Sequence, residues 1–355
     1  MRHWPTAVPL AAAILLGLAS FLPARGGMAI VLGAALMGAV LAAVHHAEVV
    51  AHRVGEPLGT LILALAVTLI EAALIVSMMV AGGPQNAALA RDAVYSAVML
   101  ICNGVVGICL LVGGMRHREQ SFRVEGAAAA YATLVAVTAL ALVLPSFTTS
   151  SPGPTYTRSQ LAFAAVSSLV LWGLFVFVQT VRHRDYFLPP EGTEDENAHL
   201  PAASAGQAWA ASGLLLVSLV AVVGLAKILS PSIEAAVTAA GAPEAVIGIA
   251  IAMLVLLPET LAAVRAARAN RIQTSLNLSL GSALACIGLT IPAVVTVSVL
   301  FDIPLVLGLG AKDLVLLGLT FLVGTITLGS GRTNVMLGAV HLVLFAVFLF
   351  LSFVP

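Results

Sequence analysis

Residues 58–80 form an apolar run interrupted once, by Glu71: thirteen uncharged residues precede it from Leu58, and nine follow it to Val80. At ~1.5 Å rise per residue such a run extends over roughly 34 Å, enough to cross a hydrocarbon core. A carboxylate at that depth costs about 2.5–3.5 kcal/mol on insertion scales. The chain must therefore give Glu71 a partner, a wet cavity or a function.

The pattern returns in the second half. Pro243-Glu244 leads into residues 245–257, again thirteen without charge, and Glu259 follows Pro258. The two glutamates stand 188 positions apart in a chain of 355 residues. One ionisable group at matching depth in each half is the arrangement of transporters built from internal repeats.

Composition agrees with burial in lipid. Hydrophobic residues make up 60% of the chain and charged residues 9%, against about 25% charged in soluble domains. An integral membrane protein in contact with membrane lipid is the reading. Sixteen basic residues balance sixteen acidic ones, which leaves no electrostatic footprint for nucleic acid. Cys102, Cys109 and Cys286 fall inside apolar runs without disulfide or metal-site spacing, and read as small packing residues.

Apolar runs between polar breaks predict eleven spans: 8–24, 28–50, 58–81, 93–115, 127–147, 161–180, 209–230, 243–264, 274–300, 311–329 and 334–354. With the N-terminus inside, the cytoplasmic segments hold eleven of the Lys and Arg residues, among them Arg53, Arg116, Arg182, Arg265 and Arg332. The other side holds five: Arg25, Arg91, Arg158, Lys227 and Lys312. The positive-inside rule then favours a cytoplasmic N-terminus and, with an odd number of spans, an external C-terminus. Residues 182–208 contain Asp185, Glu191, Glu194, Asp195 and Glu196 beside Pro189-Pro190, and read as an acidic cytoplasmic linker.

The expected fold class is an all-α polytopic membrane protein. Residues 1–27 supply an extra N-terminal helix, 28–181 a first five-helix unit and 209–355 a second. Five is odd, so two homologous units in series insert with opposite orientations, an inverted repeat.

In each half the glutamate-bearing span precedes a second unusual helix, and Ser96-Ala97 and Ser282-Ala283 are offset by 186 positions. A hard cation such as Ca²⁺ takes six to eight oxygen ligands. Glu71 and Glu259 are the candidate cation- and proton-binding residues; Thr68, Ser96, Asn103, Thr260, Asn277, Ser279 and Ser282 are candidate neutral oxygen ligands. Pro258 removes a backbone donor and disrupts its helix. Gly281 and Gly288 read as sites of close helix contact. Competing occupation by one divalent cation or two protons makes such a pair a minimal antiport site, with other groups free to alter the stoichiometry. His46, Glu48, His52 and Glu56 are candidates for a proton path or pH sensing, weighed against an interfacial polar cluster. His341 reads as a polar packing residue.

The run from Glu56-Pro57-Leu58-Gly59-Thr60 to Thr68-Leu69-Ile70-Glu71, followed by Arg91-Asp92-Ala93-Val94-Tyr95-Ser96, resembles the bacterial calcium/proton antiporter branch of the cation/calcium exchanger superfamily. Leu256-Leu257-Pro258-Glu259, Asn277-Leu278-Ser279-Leu280-Gly281-Ser282 and Gly331-Arg332-Thr333-Asn334 extend the likeness through the second half. The Gly-Asn-x-x-Glu form typical of many members is absent at both glutamates. The resemblance implies an inner-membrane antiporter with two inverted five-helix halves and a central cation site at Glu71 and Glu259. It implies transported Ca²⁺ and H⁺ rather than a resident cofactor, with Na⁺ or K⁺ as alternative small inorganic cations. A channel and a non-transport membrane scaffold remain open from the residues alone, and an intramembrane protease is disfavoured by the missing metalloprotease motif.

Overall fold

The computed structural model describes residues 4–19, 26–54, 58–188, 204–239, 241, 243 and 245–354. Its first half contains α1 (Trp4–Ala19), α2 (Gly27–Val54), α3 (Leu58–Gly82), α4 (Leu89–Met99), α5 (Val106–His117), α6 (Val124–Thr138) and α7 (Arg158–Phe177). The second contains α8 (Ala205–Ala239), α9 (Ala245–Arg268), α10 (Ile272–Phe301), α11 (Ala311–Gly329) and α12 (Val335–Phe353). A π-helical turn, Leu100–Val105, joins α4 and α5 into one span. Two short strands, β1 (Gln120–Ser121) and β2 (Arg332–Thr333), pair antiparallel with Gln120 opposite Thr333.

Among the described residues nine helices are long and apolar enough to cross a membrane, or ten if the bent α9 is one span. The fold is thus all-α and polytopic, with fewer qualifying spans than the eleven expected. The difference lies at α1, whose 16 residues extend only about 24 Å. Residues 20–25, the rest of that expected span, lie outside the described residues. The helix expected at 209–230 is longer, because Ser204 and Gln207 form a reciprocal cap at its start and it continues through Pro231. Lys227, counted with the external segments, therefore lies within α8.

Packing follows the repeat. α3 packs on α10 and α9 on α4; exchanging the two halves turns one contact into the other. The same exchange relates α7–α10 to α5–α12, while α2 pairs with α8 and α6 with α11. The buried apolar residues divide into two main bodies, one formed largely by α4–α7 and α9–α12, the other by α1, α2, α8 and part of α3. On α3, Ile70 and Leu74 belong to the second body and Ile75 and Met79 to the first, so Glu71 stands at the boundary. Large apolar side chains such as Phe163, Val170, Leu174, Val343 and Phe350 are exposed, as a lipid-facing surface requires.

The connecting segments sort into two ends. At one, His117 bonds the Arg268 carbonyl at 2.9 Å, Gln120 bonds the Ala267 carbonyl at 3.0 Å, and the Arg123 N–H donates to Gln273 at 2.7 Å. At the other, the Val306 N–H donates to the Ala87 carbonyl at 2.9 Å, and Arg158 pairs with Asp302 at 2.7 Å. The basic segments predicted to be cytoplasmic meet at the first end.

α5 and α12 cross with little clearance. A Cβ on Gly114 would lie 2.8 Å from the Val335 nitrogen, and one on Gly107 would lie 3.0 Å from Leu342. Gly114→Val forces two backbones apart and is expected to cost about 1–3 kcal/mol, seen as a lower thermal midpoint of the purified protein. Gly318→Val, with nothing within 4 Å, should leave the midpoint unchanged.

Candidate cation-binding site

Glu71 and Glu259 are both enclosed, at 1% and 4% exposure. Each reaches α10. Cys286 Sγ donates to Glu71 Oε1 at 3.0 Å, and Ser282 Oγ donates to Glu259 Oε2. Ser282 and Cys286 are four residues apart, so they share one face of α10 and sit about 6 Å apart along its axis. Residues 188 positions apart in sequence thus meet on one face of a single helix, one turn apart.

Local sequence explains this placement. α9 bends by 52° between Gly248–Leu257 and Glu259–Arg268, where Pro258 withholds its backbone donor. Glu259 begins the second segment. α3 and α9 both pack along α10, whose positions 279, 282, 283 and 286 are Ser, Ser, Ala and Cys. Small side chains let helices approach while offering hydroxyl or thiol groups.

The neutral candidates separate. Ser282 is bonded to a carboxylate; Thr68 and Ser96 are buried on α3 and α4. Thr260 donates back to the Leu256 carbonyl at 2.7 Å and Ser279 to the Ser275 carbonyl at 2.8 Å, the usual intrahelical use of such hydroxyls. Asn277 donates to the Phe187 carbonyl and accepts from Gln273 at 2.9 Å. Asn103 is drawn elsewhere: it donates to Thr320 Oγ1 at 2.8 Å, and its Oδ1 meets His341 Nδ1 at 3.2 Å. His341 Nε2 in turn meets Thr327 Oγ1 at 3.1 Å. These four buried residues tie the π-helical turn to α11 and α12, apart from the carboxylate pair.

His46 Nε2 bonds the Pro5 carbonyl at 2.8 Å, and His45 packs on Trp4 with ring centroids 5.4 Å apart. This histidine pair therefore engages α1. Glu48 is half-buried on α2. His52 lies on α2, its side chain outside the description, and Glu56 lies outside the described residues, as do residues 189–203 of the acidic linker. Gly288 makes the expected close contact, since a Cβ there would meet Trp172 Cβ at 2.7 Å; at Gly281 nothing lies within 4 Å. Gly281 faces a cavity, which corrects its reading as a packing residue.

Cys286 is the site residue that sequence reasoning missed. Its signal was its place one turn after Ser282 on the same helix face. Among the described residues no three His, Cys, Asp or Glu side chains form a metal-holding group, so a cation here would rest on the two carboxylates and neutral oxygens. Glu259 Oε1 has no hydrogen-bond partner among the described residues, leaving it available as a ligand.

The family model described as sodium/calcium exchanger protein matches residues 25–181 and 210–354. The chain belongs to this family. The exchanger is 49% identical over 358 residues to the putative ionic transporter y4hA of Sinorhizobium fredii, across 99% of this chain and 96% of that protein. It is 34% identical over 320 residues to the sodium-potassium/proton antiporter ChaA of Escherichia coli, across 90% and 86%. The Ca(2+)/H(+) antiporter of Aphanothece halophytica is 24% identical over 274 residues, 71% of each chain. Among solved structures, the H+/Ca2+ exchanger CAX superposes with a TM-score of 0.75 at 17% identity, covering 98% of this chain and 86% of that one. Exchanger membership makes this chain a secondary transporter rather than an enzyme.

A hydrogen bond to an ionised group is worth about 1.5–3 kcal/mol. Ser282→Ala is therefore expected to lower cation-driven proton flux in sealed vesicles about tenfold or more, while Ser279→Ala stays within about twofold.

Proposed function

We propose that this exchanger moves Ca²⁺ out of a bacterial cell in exchange for H⁺, with Glu71 and Glu259 as the shared binding groups. The observation that carries this reading is the convergence of both carboxylates on Ser282 and Cys286 of one helix. Two ionised carboxylates match the charge of one Ca²⁺, and two protons neutralise them equally, so occupancy by one excludes the other. Ser282 is the leading neutral ligand, with Thr68 and Ser96 buried on the neighbouring helices. The relative named a Ca(2+)/H(+) antiporter supports the substrate assignment.

Alternating access follows from the two hydrophobic bodies. The body containing α1, α2 and α8 shares α3 with the rest of the bundle, so rocking one against the other moves the helix that carries Glu71. Interfaces of this kind switch between discrete packings rather than deforming continuously. In the full topology α1 is the eleventh crossing, residues 28–181 and 209–355 are the inverted units, and the N-terminus is cytoplasmic. The two stretches matched by the family model support that division. The membrane is the bacterial inner membrane, where a proton gradient drives export.

A second reading, exchange of Na⁺ or K⁺ for H⁺ at the same pair, is favoured by the 34% identity to a sodium-potassium/proton antiporter. Sealed vesicles under an imposed pH gradient, given Ca²⁺, Na⁺ or K⁺ separately, distinguish the two. Ca²⁺ is expected to drive proton movement in the wild type, and Glu71→Gln and Glu259→Gln each to lower it about 100-fold or more. Flux retained in both folded variants rejects the site; flux driven by Na⁺ or K⁺ alone selects the second reading.

A further inference from the structure

A cavity of ≈ 20 Å³ lies between α3, α7 and α10, lined in part by Ala64, Trp172, Gln179, Asn277, Gly281 and Ser282. Its polar lining sits towards the end of the bundle that holds the α9–α10 connection with Arg268 and Arg271, which the positive-inside rule assigns to the cytoplasm. Gln273 and Asn277 continue the polar line along α10 to that end, bonded to each other at 2.9 Å. In the other direction the gap closes where Gly288 meets Trp172. At the apex is Ser282, whose hydroxyl donates to Glu259.

The size of the cavity decides what it carries. Holding one water takes about 10–15 Å³, so ≈ 20 Å³ suits a single water held by Gln179, Asn277 and Ser282 within a lining otherwise mostly apolar. A Ca²⁺ ion needs six to eight oxygens at about 2.3–2.6 Å, and the side-chain oxygens in this lining are those of Gln179, Asn277 and Ser282.

The other half shows that the opening is written into the sequence. At the 186-residue offset that aligns Ser282 with Ser96, Gly281 corresponds to Tyr95. Tyr95 fills its place: its ring meets Phe348 of α12 edge-on with centroids 5.5 Å apart, and its hydroxyl donates to the Asp313 carbonyl at 3.4 Å. α12 is the counterpart of α7, so the equivalent gap is plugged at the opposite end of the bundle. Gly281 leaves it open, with nothing within 4 Å of a Cβ.

We infer that protons and cations leave the carboxylate pair by different routes, and that the α3–α7–α10 cavity is a proton-only passage between Glu259 and the cytoplasm. The proton on Glu259 passes to Ser282 Oγ while the serine's own proton leaves for the cavity water. The transferred proton lies between Oγ and the carboxylate, so the new hydroxyl already donates to ionised Glu259, and it turns towards the water again before the next transfer. Gly281 is a positioning residue, because its missing side chain keeps the water's place clear. This inference rests on the proposed exchange at Glu71 and Glu259.

Full-length protein in sealed vesicles, with ⁴⁵Ca²⁺ as the probe, separates the steps. Ca²⁺/H⁺ exchange needs the proton passage; Ca²⁺/Ca²⁺ self-exchange does not. Gly281→Leu is expected to lower kcat for Ca²⁺/H⁺ exchange about fivefold or more, with the KM for Ca²⁺ and the self-exchange rate within about twofold. Gly281→Ala, which adds one methyl in open space, should give an intermediate loss in the same assay and serves if the leucine variant does not fold. Equal loss of both activities, or loss of neither, overturns the separate passage. Glu259→Gln run alongside tests the underlying site: if it keeps both activities, the carboxylate reading fails instead.

Discussion

Two carboxylates withdrawn from water inside an apolar bundle each carry a desolvation penalty of several kcal/mol, and one helix, α10, answers both. Ser282 donates to Glu259 and Cys286 to Glu71 from successive turns of a single face. Much of the architecture serves that meeting. α3 and α9 are brought to the same helix by opposite halves of the chain, α9 is bent beside Pro258 so that Glu259 begins a new segment, and the α10 positions facing them are small. One hydrogen bond per carboxylate among the described residues is a weak claim on an ionised group, and this suits the proposed exchange of protons for a cation. A fully satisfied, tightly paired carboxylate would be a structural element rather than an exchangeable site.

The rest of the bundle divides into parts that hold and parts that yield. Asn103, Thr320, His341 and Thr327 form a chain of hydrogen bonds across α4–α5, α11 and α12, anchored where Thr320 donates to the Leu316 carbonyl. With their side chains so engaged, they rigidify that side. The α5–α12 crossing, tight at Gly107 and Gly114, belongs to the same block. Against it stand α1, α2 and α8, whose apolar contacts form a separate body. Sidedness is added by single residues: Tyr95 closes one gap of the repeat and Gly281 leaves its counterpart open.

The parts of this account legible in the sequence were those set by hydrophobicity and spacing. Apolar runs located the helices to within a few residues, and Glu71 and Glu259 stood out because ionisable groups are rare at such depth. The span expected at 209–230 is shorter than α8, although Ser204 and Gln207 spell the cap at its start, and the helix runs on through Pro231. The neutral ligands were the harder question. A serine or threonine in a helix has its own i−4 carbonyl always within reach, so composition could not separate Ser282, which turns to Glu259, from Ser279 and Thr260, which turn back to Ser275 and Leu256. Cys286 read as packing, since a thiol becomes a donor to a carboxylate only when another helix delivers one. Asn103 bonds Thr320 and His341, partners that α11 and α12 bring from far along the chain and that no local pattern announces.

On the proposed exchange, one pair of carboxylates is occupied by a cation or by protons, never both. Adding Ca²⁺ to the purified protein in weakly buffered detergent solution and recording pH measures this without transport. Ca²⁺ binding is expected to release protons in proportion to site occupancy, and the doubly substituted Glu71→Gln, Glu259→Gln protein neither to bind Ca²⁺ at the site nor to release them. Saturable Ca²⁺ binding with no proton release from the wild type, across pH values that span the transition from protonated to cation-competent protein, would contradict it.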